Sequence, residues 1–236
     1  MSNKVWDRVF KDIVASGTFP TVVNRVLLWS QTPRTGKSTL AISVLGNAQR
    51  VCLHKQQPID DLVGGYCLVD GSTKWQDGPC IKAMREGTPL IIDEIDKDSP
   101  ECRSFLYAVL DDIKVCGWTL PTGERVVAQP GYCVVATTNT IPTSLAEPIF
   151  DRFDLVFHAD TLSEDLLDAL GPFAEPAKTV AQRNKSGQWV RPATVNLFLA
   201  ASKLRTRGLD DSAIVEALGL SGQSATDFLT VISNAR

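Results

Sequence analysis

One short polar stretch carries the residue types that bind nucleotide phosphates. It places a glycine, a lysine and a hydroxyl in direct succession, as Gly36, Lys37 and Ser38. In such a loop the backbone N–H groups form an anion-binding nest, the lysine reaches the outer phosphates, and the serine hydroxyl ligates Mg²⁺. We therefore expect the nucleotide and metal contacts to come from Thr32, Pro33, Arg34, Thr35, Gly36, Lys37, Ser38 and Thr39.

The loop departs from the general pattern G-x-x-x-x-G-K-[ST] in one position, because Gln31 stands where the first glycine belongs. If the first turn of the loop needs a positive φ, the Cβ of Gln31 strains it. Arg34 occupies a position where many such loops carry a second glycine, and it could add charge near the phosphates or face solvent. The alternative is a helix that merely begins with Thr-Gly-Lys-Ser.

Two further groups of polar residues follow apolar runs. Asp93 and Glu94 come at the end of an apolar run that starts at Pro89; Asp93 can help to hold Mg²⁺, and Glu94 can orient or deprotonate the attacking water. Taken alone, such a pair is a solvated end of a strand, but its pairing with the lysine loop favours catalysis. Asn139 ends another run, and it could bond the γ-phosphate or the water, or act only as a turn residue.

Buried parallel strands are the elements that would bring these residues together, because their carboxyl ends meet at one edge of a sheet. Apolar runs predict strands at residues 26–29, 50–54, 89–96, 132–139 and 155–157. Helical spacing predicts helices at residues 3–15, 40–45, 79–84 and from Ser99-Pro100 to about Asp111 or Asp112. Turn residues predict two hairpins, residues 67–75 and 115–127.

The pattern changes beyond Asp160, where apolar residues recur at helical spacing and strand-like runs are absent. We expect two domains, an α/β core at residues 1–160 and a small α-helical lid at residues 161–236. A polar surface loop is expected at 184–188. The lid helices are predicted at Leu162–Leu170, Ala193–Arg205, Ser212–Leu218 and Ser224–Ser233.

Composition is that of an ordinary globular protein, with 236 residues, 44% hydrophobic and 22% charged, and a net charge of −3. This charge gives no general attraction for nucleic acid, although a local basic surface stays possible. Six cysteines lack C-x-x-C spacing, which argues against zinc and disulfides. No run predicts a membrane span or a leader, so we expect a cytoplasmic protein with no membrane partner.

These motifs, in this order, resemble the AAA+ ATPases, and more closely the branch that contains the MoxR-like and dynein-related proteins. The resemblance covers most of residues 22–160. Besides the lysine loop and the Asp93-Glu94 pair, it rests on Asp61-Leu62-Val63-Gly64, on Gln76-Asp77-Gly78-Pro79 and on residues 85–96. It implies a P-loop parallel sheet with flanking helices followed by the helical lid, together with ATP and Mg²⁺ as ligands.

The resemblance also implies roles for single residues. Asp93 and Glu94 look like the Walker B pair and Asn139 like sensor 1, while the hairpins look like the helix-2 and pre-sensor-1 inserts. Arg152 is similar to the arginine finger that contacts the neighbouring subunit's nucleotide, although without the family it is an exposed salt-bridge residue between two acids. Arg191, before Pro192, looks like the sensor 2 arginine, ahead of Arg205 and Arg207.

The resemblance thus implies an ATP-hydrolysing homo-oligomer, a hexameric ring, that remodels a protein partner. Two alternatives stay open at this point. The first is a nucleotide-binding scaffold without hydrolysis, which the lost glycine at Gln31 favours and an intact Glu94, Asn139 and Arg152 disfavour. The second is a nucleic-acid motor, because the Arg152 segment also resembles that of the replicative minichromosome-maintenance helicases. The choice between ATP and GTP is open as well.

Overall fold

The structure is a computed structural model that describes residues 6–185 and 194–235. The described residues form two compact units. The first unit runs to Ser30 and continues from Lys37 to Ala159, and the second comprises Gln31–Gly36 and the chain from Asp160 onward. Arg191 and Pro192 lie outside the described residues, and so does the end of the predicted loop from Ser186 to Gln188.

A five-stranded parallel sheet forms the centre of the first unit, with the strand order β2-β5-β8-β1-β9. Side chains alternate between its two faces: Leu27 packs into one apolar core and Leu28 into another, and both are fully buried. Burial on both faces is why the strands appear in the sequence as continuous apolar runs. The strands are β1 (Arg25–Trp29), β2 (Gln49–Cys52), β5 (Pro89–Asp93), β8 (Cys133–Thr138) and β9 (Leu155–His158).

Helices cover the sheet, and several begin or end at the residues that the sequence indicated. Gly87 ends one helix with φ 63°, a conformation that glycine adopts without strain. Ser99 caps another helix, because its side chain accepts a hydrogen bond from the N–H of Cys102. The helices of this unit are α1 (Trp6–Ala15), α2 (Thr18–Thr21), α3 (Lys37–Leu45), α4 (Asp60–Val63), α5 (Pro79–Glu86), α6 (Pro100–Val109) and α7 (Glu147–Phe150).

Both predicted hairpins are present as two-stranded antiparallel sheets. The first pairs β3 (Gly64–Val69) with β4 (Ser72–Asp77) around Asp70 and Gly71, both of which have positive φ. The second pairs β6 (Gly117–Thr119) with β7 (Arg125–Val127). The prediction of two hairpins is confirmed, although β6 is shorter than expected.

The second unit is helical apart from the loop Gln31–Gly36, and its helices enclose a separate apolar core that includes Phe173, Phe198 and Phe228. Arg205 stabilises this core: its guanidinium lies 4.3 Å from the centre of the Phe173 ring and donates to the carbonyl oxygens of Ile232 and Ala235. The helices are α8 (Glu164–Leu170), α9 (Ala174–Lys185), α10 (Val195–Thr206), α11 (Asp211–Ala217) and α12 (Gly222–Ser233).

Two expectations need correction, and one helix has no counterpart in the sequence analysis. Helix α6 ends at Val109, earlier than Asp111, because Leu110 leaves the helical conformation at ψ 5°. Helix α9 was not expected, since its polar composition gives only a weak apolar stripe. Asn184 and Lys185, predicted to lie in a loop, are the last residues of that helix.

All six cysteines are free, and four of them, Cys80, Cys102, Cys116 and Cys133, are buried as small apolar side chains. Within the described part of the chain, no helix has the length and apolar character to cross a membrane.

Candidate functional site

The candidate site of the first unit lies at the carboxyl edge of the central sheet. Asp93 ends β5, and Thr137 and Thr138 end the neighbouring β8. Lys37 and Ser38 begin α3, the helix that follows β1 and its loop. Polar residues that are far apart in sequence therefore converge at this edge, as expected for parallel strands.

Asp93 is the buried centre of this site, with 3% of its surface exposed. Its Oδ1 atom accepts hydrogen bonds from Ser38 Oγ at 2.5 Å and from Thr137 Oγ1 at 2.9 Å. Its Oδ2 atom pairs with Arg50 Nε at 2.6 Å. A buried carboxylate needs such partners, and here they also fix the direction in which its oxygens point.

Asn139 connects Lys37, which the sequence predicts to bind phosphate, with Glu94, which it predicts to orient the attacking water. Its Oδ1 accepts a hydrogen bond of 2.9 Å from Lys37 Nζ, and its Nδ2 donates one of 3.1 Å to Glu94 Oε1. The other carboxylate oxygen of Glu94 pairs with Lys97 Nζ at 2.6 Å. Asn139 is thus more than a turn residue, because its side-chain amide links Lys37 to Glu94.

Glu94 adopts a left-handed backbone conformation, with φ 58° and ψ 46°. Such a conformation is unfavourable for a residue with a Cβ, and it persists only where surrounding contacts impose it. One such contact is the Glu94 N–H, which donates to Thr137 Oγ1 at 3.4 Å. Strain of this kind is concentrated at functional sites, and the Glu94 side chain here accepts a hydrogen bond from Asn139.

Lys37 is buried, with 6% of its surface exposed. Burial lowers the pKa of its ammonium from 10.5 to about 8, and the nearby carboxylates of Glu94, Asp93 and Asp96 oppose that shift. A buried lysine with a lowered pKa, surrounded by carboxylates, is a candidate functional residue.

The loop Gln31–Gly36, which belongs to the second unit, carries its strain at Arg34 and not at Gln31. Arg34 has φ 65°, whereas Gln31 is not among the residues with positive φ. The Cβ of Gln31 therefore does not cause the backbone strain that a positive φ would have caused. Gly36 has φ 95°, and a Cβ there would come within 2.3 Å of Ser163 Oγ. Gly36 is therefore required both by its conformation and by its neighbour.

Thr35 contributes an unusual feature to the same loop. Its Oγ1 atom is buried without a hydrogen-bond partner among the described residues, although its backbone oxygen accepts from the N–H of Ser163 at 3.0 Å. A buried hydroxyl without a partner is costly, and a polar ligand is one explanation for it. Thr32 is also buried, while Pro33, Arg34 and Thr39 are exposed.

Arg152 lies at the opposite edge of the sheet from Lys37, Asp93, Glu94 and Asn139. It precedes β9, which runs parallel to β1, so it sits at the amino end of the strands. Strand β9 has four residues and spans about 13 Å, which is beyond the reach of an arginine side chain. The structure therefore does not bring Arg152 to the Lys37 and Glu94 of its own subunit.

The local partners of Arg152 are not the acids that flank it in sequence. Its Nε donates to the carbonyl oxygen of Tyr107 at 3.2 Å, its Nη1 donates to that of Pro148, and its guanidinium lies 5.0 Å from the centre of the Tyr107 ring. Asp154 instead forms an ion pair with Arg25. The alternative interpretation, an exposed salt bridge with its sequence neighbours, is wrong within the described residues.

The remaining candidates are the three arginines considered for sensor 2 and the carboxylate of Asp96. The sensor 2 candidate Arg191 lies outside the described residues, Arg205 is engaged in the core of the second unit, and Arg207 is exposed. Asp96, a possible substitute for Glu94, is held by the hydroxyls of Thr138 at 2.6 Å and Thr140 at 2.9 Å.

Sequence reasoning missed three residues that shape the site, namely Arg50, Lys97 and the hydroxyl of Thr137. Lys97 carries a weak signal, because it stands three residues after Glu94 in a short helical turn. Arg50 and Thr137 reach Asp93 from neighbouring strands, so they become visible only when the strand order is known.

The residues around Ser38 fit a magnesium ion bound together with phosphate. A serine hydroxyl and a carboxylate are hard oxygen donors, and Mg²⁺ prefers few protein ligands besides substrate phosphates and water. Ser38 Oγ and Asp93 Oδ1 already lie together at 2.5 Å. Within residues 6–185 and 194–235, no cluster of three or more His, Cys, Asp or Glu side chains that could bind a metal ion occurs.

Comparison with known sequences identifies the class to which this fold and site belong. A family model described as AAA domain (dynein-related subfamily) matches residues 33–153, which include Lys37, Asp93, Glu94, Asn139 and Arg152. The chain therefore belongs to the dynein-related subfamily of AAA domains, and its fold is that of a P-loop nucleotide-binding protein.

Relatives with curated sequences cover only part of the chain. Protein NorQ of Paracoccus denitrificans is 29% identical over 158 residues, which are 66% of this chain and 54% of NorQ. An uncharacterized protein of Staphylococcus aureus (strain USA300) is 42% identical over 97 residues, which are 39% of this chain and 35% of that protein. The chain thus spans about half the length of NorQ.

Solved structures agree on the fold. A variant of Thermotoga maritima RuvB superposes with a TM-score of 0.53 at 18% identity, covering 99% of this chain and 69% of RuvB. NtrX of Brucella abortus, solved in complex with ADP, gives a TM-score of 0.50 at 15% identity and covers 85% of this chain and 46% of NtrX. The predicted AAA+ fold, a parallel sheet with flanking helices followed by a helical segment, is confirmed.

Proposed function

We propose that this chain is a Mg²⁺-dependent ATPase that assembles into a ring and uses ATP to remodel a protein partner. One observation carries the proposal: the Asn139 amide connects Lys37 Nζ, at 2.9 Å, with Glu94 Oε1, at 3.1 Å. A site for nucleotide binding alone has no need to couple its phosphate-binding lysine to a carboxylate. A hydrolytic site does, because water must be activated beside the bound phosphate.

Nucleotide binding rests on the loop and on Lys37. The loop supplies backbone N–H groups through the strained Arg34 and the glycine at position 36, and the unpartnered Thr35 hydroxyl gains a partner. Lys37 exchanges a neutral amide oxygen for phosphate oxygens, which favour its charged form. The free energy of this exchange contributes to affinity, since a charge-assisted bond to an anion is stronger than one to an amide.

Ser38 and Asp93 are the residues that would hold the metal. When bound, Mg²⁺ neutralises phosphate charge and orients the phosphates. Thr137 and Arg50 hold the Asp93 oxygens in place, and the Ser38 hydroxyl donates a hydrogen bond to the same carboxylate.

Glu94 is proposed as the residue that orients the attacking water and accepts its proton. Asn139 and Lys97 each bond one of its carboxylate oxygens, and these two contacts fix the position of the carboxylate. When phosphate replaces Asn139 as the partner of Lys37, the Asn139 Oδ1 atom is released and can accept a hydrogen bond from the water. Positioning of this type commonly contributes about 10²–10⁴-fold in rate.

Arg152 is proposed to complete the site of a neighbouring subunit. Its place at the amino edge of the sheet keeps it away from its own Glu94, so a role in hydrolysis requires a second copy of the chain. The required contact is head-to-tail, and repetition of such a contact closes into a ring when the rotation permits. We propose a hexamer because the family resemblance implies it.

Remodelling of a protein partner is the finer part of the proposal. It rests on membership of the dynein-related AAA subfamily and on the likeness to NorQ. The first hairpin adds a suitable surface, because Tyr66 and Leu68 are 56% and 77% exposed on a two-stranded sheet. These two side chains are two residues apart and so share one face of β3, and contiguous exposed apolar surface is a mark of sites that contact another protein.

The proposal is tested by measuring ATP turnover of the purified protein over a range of protein concentrations, with and without Mg²⁺. Turnover per subunit should rise with concentration, because each site needs a neighbour, and should require Mg²⁺. Lys37→Ala should abolish binding of a fluorescent ATP analogue, whereas Gln31→Gly should keep or improve it. Turnover that is absent at every concentration would refute the ATPase, and stimulation by DNA or RNA would point to a nucleic-acid motor instead.

A further inference from the structure

We infer that Tyr107 is a positioning residue for Arg152, and that its ring and backbone oxygen hold the guanidinium in the orientation in which the next subunit meets it. The inference rests on the proposed role of Arg152 in a shared active site and assigns that role a supporting residue on helix α6. No motif in the sequence points to Tyr107.

Three contacts, all to neutral groups, hold the Arg152 guanidinium. Nε and Nη1 donate to the carbonyl oxygens of Tyr107 and Pro148, and the Tyr107 ring lies 5.0 Å from the guanidinium carbon. A guanidinium has five N–H donors. Since only Nε and Nη1 have acceptors among the described residues, the Nη2 group has no hydrogen-bond partner there. That group remains free to bond an anion.

The absence of a carboxylate from this set is the informative feature. Two acids, Asp151 and Asp154, are Arg152's near neighbours in sequence, yet neither forms an ion pair with it in the described part of the chain. Asp154 is occupied by Arg25, which donates from Nε at 3.1 Å and Nη2 at 2.5 Å, and by the backbone N–H groups of Asn24 and Arg25. Arg152 is thereby oriented while its positive charge is left uncompensated.

An arginine that serves a partner subunit needs this combination. A flexible, solvated arginine loses side-chain entropy when it engages a phosphate, whereas a held arginine has lost it before binding. A carboxylate would also hold the guanidinium, but it would neutralise the charge that phosphoryl transfer requires. An aromatic face and carbonyl oxygens fix the geometry without that neutralisation.

Tyr107 is itself well fixed. It lies on α6, which begins at the Ser99 cap and buries Phe105, Leu106 and Val109 against the core. The tyrosine ring is half-buried beside this core, and it has only two rotatable side-chain bonds. Arg152 therefore rests on a rigid helix rather than on the short segment that carries it.

The test compares Tyr107→Leu, which removes the aromatic ring, with Tyr107→Phe, which keeps it. Both variants keep the backbone oxygen that accepts from Arg152. Tyr107→Leu should lower kcat about three- to tenfold, a range that matches the loss of one partly buried cation–π contact. ATP affinity should be unchanged, because the nucleotide site of the same subunit is intact. Tyr107→Phe should retain kcat within about twofold.

Mixing experiments separate positioning from a structural role. Glu94→Gln subunits have an intact Tyr107 and Arg152 and can present them to neighbouring Tyr107→Leu subunits. Adding Glu94→Gln protein should therefore raise the ATP turnover, expressed per subunit with an intact Glu94, toward the wild-type value. Addition of Arg152→Ala protein should lower it further. A loss of stability would be confined to the altered subunit and would not be repaired by its neighbour.

Several results would overturn the inference. They are an unchanged kcat in Tyr107→Leu, an equal loss in Tyr107→Phe, or a loss that Glu94→Gln protein does not restore although mixed oligomers form. These results leave the proposed function standing when Arg152→Ala is inactive. A fully active Arg152→Ala would instead refute the shared site and the role of Tyr107 together.

Discussion

The ammonium of Lys37 donates a hydrogen bond of 2.9 Å to the side-chain oxygen of Asn139, which lies 102 residues further along the chain. The same amide donates to Glu94, so the phosphate-binding residue and the proposed catalytic carboxylate share one neutral partner. Phosphate and Asn139 then compete for Lys37.

ATP affinity should depend on the protonation of Lys37. Burial lowers the pKa of Lys37 to about 8, and bound phosphate should raise it by adding negative charge. Binding then takes up a proton above this pH, so affinity should fall as pH rises, by at most about tenfold per pH unit. Calorimetric titration with ATP from pH 7 to 10, in two buffers of different ionisation enthalpy, measures both the affinity and the proton uptake.

Lys37→Arg is the matched control, because a guanidinium stays charged throughout this range. Its affinity, whatever its value, should not change between pH 7 and 10. A wild-type affinity that is equally flat, with no proton uptake, would show that Lys37 is charged in the free protein at all these pH values.

Substitution of Glu94 should lower ATP turnover, whereas substitution of Asp96 should lower the stability of the fold. Glu94→Gln keeps the shape of the side chain and should bind ATP, but its turnover should fall about 10²–10⁴-fold. Asp96→Asn weakens the bonds from the Thr138 and Thr140 hydroxyls, so it should lower the free energy of unfolding by about 1–2 kcal/mol. Single-turnover kinetics and urea denaturation of both variants provide the measurements.

Opposite behaviour of these two variants would reassign the catalytic carboxylate. If Glu94→Gln turns ATP over normally while folded Asp96→Asn is inactive, Asp96 is the residue that acts on water. The hydroxyls around it would then be part of the catalytic site.

The strained backbone at Arg34 predicts a change in stability. A residue with a Cβ at φ 65° costs about 1 kcal/mol relative to glycine, so Arg34→Gly should raise the free energy of unfolding by about this amount. Arg34→Ala keeps the strain and removes only the charge, and it should not stabilise the protein. Urea denaturation without nucleotide distinguishes them, and equal stability of both variants would contradict the strain.

The same two variants separate the two roles that the sequence left open for Arg34. If its charge lies near the phosphates, both variants should bind ATP several-fold more weakly than wild type. If Arg34 only faces solvent, neither should lose affinity.

Local sequence patterns were sufficient to predict the central sheet. Its strands are buried on both faces, and apolar runs such as Val26–Leu28 carry that signal unambiguously. Helix ends were also predictable where one residue has a single physical role, as for the serine cap at Ser99 and the glycine at Gly87. The residues Lys37, Ser38, Asp93, Glu94 and Asn139 stood out because their types and order are specific to phosphate chemistry.

Other features have no local signal. Helix α9 is polar for much of its length and contains Pro176 in its first turn, so neither its spacing nor its composition marks it clearly. The ion pair of Arg50 with Asp93 depends on β2 lying beside β5, a fact of strand order. The neutral partners of Arg152 and the left-handed conformation of Glu94 likewise arise only from tertiary contacts.

Mixing two inactive variants tests the shared active site most directly. Glu94→Gln subunits lack the carboxylate but present an intact Arg152, whereas Arg152→Ala subunits keep the carboxylate and lack the arginine. Neither variant alone should hydrolyse ATP at more than a small fraction of the wild-type rate. In an equimolar mixture, interfaces that join an intact Glu94 to an intact Arg152 should form, and ATP turnover should return. A mixture that stays inactive while size-exclusion chromatography detects mixed oligomers, or an Arg152→Ala protein that is fully active alone, would contradict the account.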